Sequence, residues 1–251
     1  MFGKVIYYDR NKVADYTAII DGKPTVEVGS THTTKSKEAG ISRVPVTLGA
    51  KKEEAYEETK IESILHNISR FEKKLESRDD FFDFTVRSNI CLETILRGNL
   101  VKFSGFIYVP EEFGMIQMIE KFKPILMNQA TLGMQSDETE LLNTLFGAQN
   151  TKIPMISNID DTEICALIET NSLKISYEEF EDYEEIEMSI LARTLDSRLI
   201  DKEKPFFDPF KHFIQLPRAM RRAMKNDEED EFGPIYAEEN YRLFEIIAIY
   251  G

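Results

Sequence analysis

Leu100-Val101-Lys102-Phe103-Ser104-Gly105-Phe106-Ile107-Tyr108-Val109, followed at once by Pro110-Glu111-Glu112-Phe113, is the stretch on which the fold turns. Val101, Phe103, Ile107 and Val109 fall on one face of a period-two pattern, so residues 100–109 read as a strand. Gly105 interrupts the run and predicts a bulge. Pro110 and the two acids after it then suit the first turn of a helix, where a missing N–H is harmless and negative charge meets the positive dipole end. That helix is expected to run through Phe113, Ile116, Ile119 and Phe122 and to end at Pro124.

The same strand-then-helix order appears on both sides. Residues 3–9 are β-rich, and Asp9 is placed to cap a helix through Val13, Tyr16 and Ile20, which Asp21-Gly22-Lys23-Pro24 breaks. Residues 186–225 repeat the order, with Ile186, Met188, Ile190 and Ala192 on one strand face and a helix over 208–225. A long helix is predicted at 52–77, because Ile61, Ile64, Leu65, Ile68, Phe71 and Leu75 recur at spacings of three and four. A second helix over 81–96 would bury Phe82, Val86, Ile90 and Ile95. Further elements are a strand at 44–48, a helix at 137–146, a strand at 152–156 and a strand at 241–250. Residues 161–169 fit either state, and Asp161-Thr162-Glu163 favours a helix start.

Together these predict an α+β protein, mixed sheets with packed helices. It is either one domain or two strand-helix subdomains, 1–130 and 137–251, joined near 128–137. Residues 29–43, rich in Ser and Thr, read as a mobile loop or an exposed hairpin.

Lys and Arg number 31 against 45 Asp and Glu, a net charge of −14, which repels phosphate backbones and disfavours nucleic acid as a partner. No apolar run approaches the roughly 20 residues of a spanning helix. The charged N-terminus has no cleavage signature, so the expectation is a cytoplasmic protein with no transmembrane segment. Cys91 and Cys165 have apolar neighbours and are expected as two buried thiols in a reducing compartment. Two Cys and three distant His do not form a spaced zinc motif. No motif calls for a cofactor or a metal.

The carboxylates offer the few candidates for chemistry. Asp9 ends the first strand, and Asp160-Asp161 follow the 152–156 strand, so the three could meet around a ligand. Helix capping is the plainer role for each. Ser30, Thr31, His32, Thr33 and Thr34 suggest a phosphate contact, but without a Gly-x-x-x-x-Gly-Lys frame. Charge is also segregated. Glu178, Glu179, Glu181, Asp182, Glu184 and Glu185 form an acidic block. Arg218, Arg221 and Arg222 lie in a basic amphipathic stretch beside Phe213 and Met220. Both are candidate surfaces for binding a protein partner or a second copy of the chain.

Three segments together resemble a family of uncharacterised bacterial proteins, a domain of unknown function found sporadically in bacteria. They are Ile6-Tyr7-Tyr8-Asp9 with Val13 and Tyr16, Leu100 to Gly105, and Gly233-Pro234-Ile235 with Ile246-Ile247-Ala248-Ile249-Tyr250. The resemblance carries no catalytic residue. Patchy occurrence implies a link to mobile elements or phage–host conflict.

The leading expectation is therefore a non-catalytic protein-binding or regulatory protein. The alternative is a carboxylate-dependent enzyme or small-ligand or nucleotide binder using Asp9, Asp160 and Asp161. A further alternative is a membrane-acting effector with 29–50 as an insertable hairpin.

Overall fold

The computed structural model describes residues 3–22, 63–86, 90–114, 152–177, 179–208 and 233–251. The expected loop at 29–43, the strand at 44–48, the helix at 137–146 and most of the 208–225 stretch lie outside them. So do the first residues of the 52–77 helix and the continuation of the helix begun at Pro110.

Seven strands form one mixed sheet. They are β1 (Val5–Tyr8), β2 (Phe81–Asp83), β3 (Leu100–Gly105), β4 (Lys152–Ile159), β5 (Thr162–Glu169), β6 (Met188–Thr194) and β7 (Tyr241–Tyr250). The order is β2-β3-β6-β7-β5-β4, and β1 adds to β7. β7 is the axis. One of its edges pairs with β6, from Ser189 opposite Tyr250 to Thr194 opposite Phe244. Its other edge is shared: β5 takes Tyr241 to Phe244 in parallel, and β1 takes Ala248 to Tyr250 antiparallel. Burial on both faces explains the near-continuous apolar run Ile246-Ile247-Ala248-Ile249.

The sheet closes on itself. Just beyond β3, Tyr108 and Ile156 exchange two backbone hydrogen bonds of 3.0 and 2.9 Å, which joins the chain after β3 to β4. Strands β3, β6, β7, β5 and β4 thus form a ring. Gly105 sits at the seam, where an added Cβ would lie 2.8 Å from the Ser157 hydroxyl and 3.1 Å from the Asn158 carbonyl. The Gly105–Met188 pair continues the β3–β6 register unbroken, so the glycine serves close approach and makes no bulge. The interior alternates small and large side chains, as narrow barrels require. Ala166, Ala192 and Ser157 are fully buried beside Phe103 and Phe244, whose rings meet edge to face at 6.2 Å. Strands from 1–130 and from 137–251 share this one sheet, β3 against β6 and β1 against β7.

Two helices cover the outside over β1, β3, β6 and the second half of β7. α1 (Arg10–Ile20) begins where the Asp9 carboxylate accepts hydrogen bonds from the Asn11 and Lys12 amides, and it ends before Gly22 at φ 64. α2 spans 63–75 and buries Ile68, Phe71 and Leu75, the stripe read from the sequence. These pack with Val5, Tyr8, Val13, Leu191 and Ile247. Lys74 of α2 pairs with Asp21 after α1 at 2.6 Å, and Glu72 pairs with Lys102 of β3 at 2.8 Å. Over β4 and β5 the outer cover is aromatic, with Phe113 edge-on to Phe207 at 5.8 Å and Phe206 edge-on to Tyr241 at 6.0 Å.

Besides the Gly105 bulge, three expectations are corrected, and the open choice at 161–169 is decided. Residues 81–96 are not a helix: Phe81–Asp83 pairs in parallel with Leu100–Lys102, and the Asp83 carboxylate turns the chain by accepting from the Thr85 amide and hydroxyl. Val86 is consequently 78% exposed. Residues 161–169 are strand β5, because Asp160 takes a left-handed φ of 50 and makes Asp160-Asp161 the turn of a β4–β5 hairpin. Ile186 precedes β6 and is exposed. Cys91 is exposed on a loop while Cys165 is buried, and both are free thiols.

Candidate functional site

Asp9 is where the sequence placed a functional carboxylate, and around it the fold assembles the largest ion-pair network among the described residues. Residues 9, 12 and 16 share one face of the first two turns of α1. Across the sheet, Arg193 of β6 and Glu245 of β7 are register partners on the same outer face. Lys12 Nζ lies 3.1 Å from the Asp9 carboxylate, 3.8 Å from Glu245 and 3.3 Å from the Ile246 carbonyl. The Tyr16 hydroxyl donates to Glu245 at 2.5 Å. Arg193 Nη1 donates to the Tyr16 oxygen at 3.5 Å, and its guanidinium lies over the Tyr16 ring.

The electrostatics of this network favour holding charge in place. Burial, then the hydrogen bond and negative charge of Glu245, pushes the Tyr16 phenol up to about 12. Burial alone would lower Lys12, but the neighbouring Tyr7, Asp9 and Glu245 raise it above its ordinary value. Tyr16 therefore stays protonated and Lys12 stays charged. Two carboxylates face two cations, and Asp9 spends its oxygens on the α1 cap and Lys12. The arrangement fastens α1 to β6 and β7.

Asp160 and Asp161 do not join it. Asp9 bonds the Ile247 carbonyl through its amide, whereas Glu163, two residues past Asp161, pairs with Tyr241. Six residues of β7 separate the two levels, about 20 Å at strand rise. Among the described residues no three His, Cys, Asp or Glu side chains are grouped to hold a metal ion.

The hairpin side carries a second buried carboxylate that sequence reasoning missed. Glu163 accepts the Glu239 amide at 2.9 Å and the Tyr108 hydroxyl at 3.4 Å, tying the 238–239 loop to β5. Burial, then the charge of Glu163, pushes the Cys165 thiol well up, which favours the neutral thiol over the thiolate. Burial and the charges of Glu163 and Glu238 raise Tyr108 as well.

The acidic block divides in two. Some of its carboxylates are structural. Glu184 accepts the Val109 amide at 3.2 Å, and Glu179 accepts the Ser176 amide and hydroxyl, which holds its own carboxyl below the usual range. Asp182 and Glu185 are exposed, as is Glu187 beside them. The turn Glu181–Tyr183 is anchored by buried Phe180, and Lys4 lies over the Tyr183 ring at 4.4 Å. The β3–β6 ladder ends at the Gly105–Met188 pair, with Phe106 next after β3 and Glu187 next before β6. Phe106 is 54% and Ile186 46% exposed. Glu178, the Glu181 side chain, Arg218, Arg221 and Arg222 lie outside the described residues.

The family described as Domain of unknown function (DUF6414) matches residues 3–250. The chain belongs to this family. The match takes in β1 through β7, so the closed sheet of this DUF6414 chain lies within one family unit. No curated protein and no solved structure gives a match. Among the described residues no helix is long and apolar enough to cross a membrane.

Proposed function

We propose that this chain is a bacterial, cytoplasmic, non-catalytic protein that works by binding another protein, and that the bound element is a basic amphipathic segment. The observation that carries this reading is the surface at the start of β6. Phe106, just past β3, and Ile186, just before β6, are both exposed at the end of the sheet where Gly105 pairs with Met188, and Asp182, Glu185 and Glu187 are exposed with no ion-pair partner among the described residues. Exposed apolar side chains rimmed by acids suit a helix with apolar residues on one face and Lys or Arg beside them. Nearby in the chain, Phe180 is buried and Glu184 accepts the Val109 amide, which fixes this part of the chain to the sheet. The free thiols Cys91 and Cys165 fit a reducing compartment.

The test is native affinity purification from the host with two surface variants, Phe106→Ser/Ile186→Ser and Glu185→Lys/Glu187→Lys. None of the four side chains is buried, so circular dichroism and melting temperature are expected to stay at the wild-type values. A stoichiometric partner present with wild type and lost from both variants is the expected result. A partner held equally by all three proteins, or no partner at all, would sink the proposal.

A further inference from the structure

One end of the barrel interior holds a buried hydroxyl without a partner among the described residues and, near it, an arginine with a single acceptor. Arg242 lies one residue into β7, opposite Ile164 of β5, with only 5% of its surface accessible. A guanidinium carries five N–H donors. Among the described residues it meets one acceptor, the Ile95 carbonyl, 3.5 Å from Nη1, and no carboxylate lies within ion-pair distance. Thr194 of β6 is fully buried, and its hydroxyl has no hydrogen-bond partner among the described residues. Thr194 pairs with Phe244, two residues along β7 from Arg242. The two side chains therefore project from the same face as diagonal neighbours, about 7–8 Å apart at their origins, and the guanidinium bonds Ile95 rather than the Thr194 hydroxyl, which leaves room between them for a bridging group.

This pair is an exception within the molecule. Asp9 has a cap and a lysine, Glu163 has a backbone amide and a phenol, and Lys102 has Glu72. The Thr194 hydroxyl is the one buried side-chain polar atom without a partner among the described residues, and leaving it so is costly; the Arg242 nitrogens that bond nothing keep some contact with solvent. Both groups can donate, and both lie under the loop that carries Ile95. That loop closes this end with exposed Cys91, Glu93, Thr94 and Leu96 outside and Ile95 inside. Gly98, at φ 93, turns the loop back so that its amide donates to the Thr194 carbonyl at 2.8 Å.

We propose that the Arg242–Thr194 end of the barrel binds a small oxyanion, with two oxygens on the guanidinium fork and one accepting from the Thr194 hydroxyl. A planar fork matches paired oxygens of a carboxylate or a phosphate, and buried charge-assisted bonds are the strong ones. The net charge of −14 means the protein's long-range field does not draw the anion in. Affinity comes from the short bonds, and salt screens it weakly.

The experiment is thermal unfolding of the full chain with inorganic phosphate and, separately, acetate, each against sodium chloride at matched ionic strength and pH. A ligand of the native state raises the melting temperature as its concentration grows. The expected result is such a rise with at least one of the two anions and none with chloride. Phosphate alone would identify a phosphoryl group as the ligand, and acetate alone a carboxylate. Thr194→Val removes a hydroxyl that bonds nothing in the protein, so its unliganded melting temperature should equal or exceed wild type while affinity falls at least tenfold. Arg242→Lys keeps the charge and loses the fork, and should bind more weakly still. Should Arg242→Lys fail to fold, Thr194→Val decides alone. No anion-specific rise in the wild type, or a rise undiminished in Thr194→Val, would overturn the proposal.

Discussion

Gly105→Ala tests whether the sheet is closed. The new methyl would sit 2.8 Å from the Ser157 hydroxyl and 3.1 Å from the Asn158 carbonyl. Neither neighbour yields easily. The Ser157 hydroxyl donates to the Phe106 carbonyl at 2.6 Å, and Asn158 O is backbone within β4. To admit the methyl, β3 and β4 must separate by several tenths of an ångström, straining the Tyr108–Ile156 bonds beside them. Overpacking of this kind costs about 1–3 kcal/mol, or roughly 2–12 °C in melting temperature for a chain of this size. Urea unfolding followed by circular dichroism measures it. Ser157→Ala on its own should destabilise by about 1 kcal/mol through its lost hydrogen bond. In the double variant the tighter contact disappears, so the combined loss should fall short of the sum of the two. A Gly105→Ala protein within about 0.5 kcal/mol of wild type, the range of ordinary surface changes, would refute the closure, because an open sheet would leave the methyl in free space.

Asp9→Ala should cost about 0.5–2 kcal/mol in urea unfolding, since the α1 amides of Asn11 and Lys12 lose their acceptor. Asp9→Asn keeps an acceptor oxygen and should cost less; equal losses would place the effect in the Lys12 pair rather than the cap. At high pH the tyrosines govern stability. Tyr16 and Tyr241 are pushed up to about 12 by burial, and then by Glu245 and Cys165 respectively, while Tyr108 and Tyr250 are raised too. A raised phenol holds its proton more tightly when folded, so its stabilisation is complete below the ordinary value of 10.0 and is lost as pH climbs from there toward 12. Tyrosinate absorbance should therefore show a late group of tyrosines that ionises together with unfolding; a single transition at the ordinary value in still-folded protein would contradict the burial.

What was legible in the sequence was local. The Asp9 cap needs only residues 9–12, and the Ile68-Phe71-Leu75 stripe needs only its own spacing, so both could be read directly. Local signals also misled where two structures share them. Phe82, Val86, Ile90 and Ile95 have helix-like spacing, yet the backbone of Phe81–Asp83 is claimed by Leu100–Lys102, a partner the spacing does not reveal. Asp160-Asp161-Thr162 resembles a cap and a turn equally, and the β4–β5 pairing chose the turn. The barrel seam joins Tyr108 to Ile156, and the network joins Arg193 to Glu245; in each pair the residues lie about 50 positions apart, where no local pattern reaches.

The same non-local pairing separates structural charge from free charge. Register puts Glu245 opposite Arg193 and under Tyr16, and Asp9 beside Lys12, so these charges are spent on α1. Glu184 is spent on the Val109 amide, just past the end of the β3–β6 ladder at Gly105–Met188. Among the described residues, two polar features stand apart from these structural charges. One is the exposed acids at the Phe106 and Ile186 end; the other is Arg242 with the buried Thr194 hydroxyl. They lie at opposite ends of β6, since Met188 begins the strand beside the acids and Thr194 ends it in the barrel. A basic protein segment at one end and a small anion at the other would thus meet the protein at separate sites. Substitutions at Phe106 or Glu185 should leave anion binding unchanged, and Thr194→Val should leave partner capture unchanged.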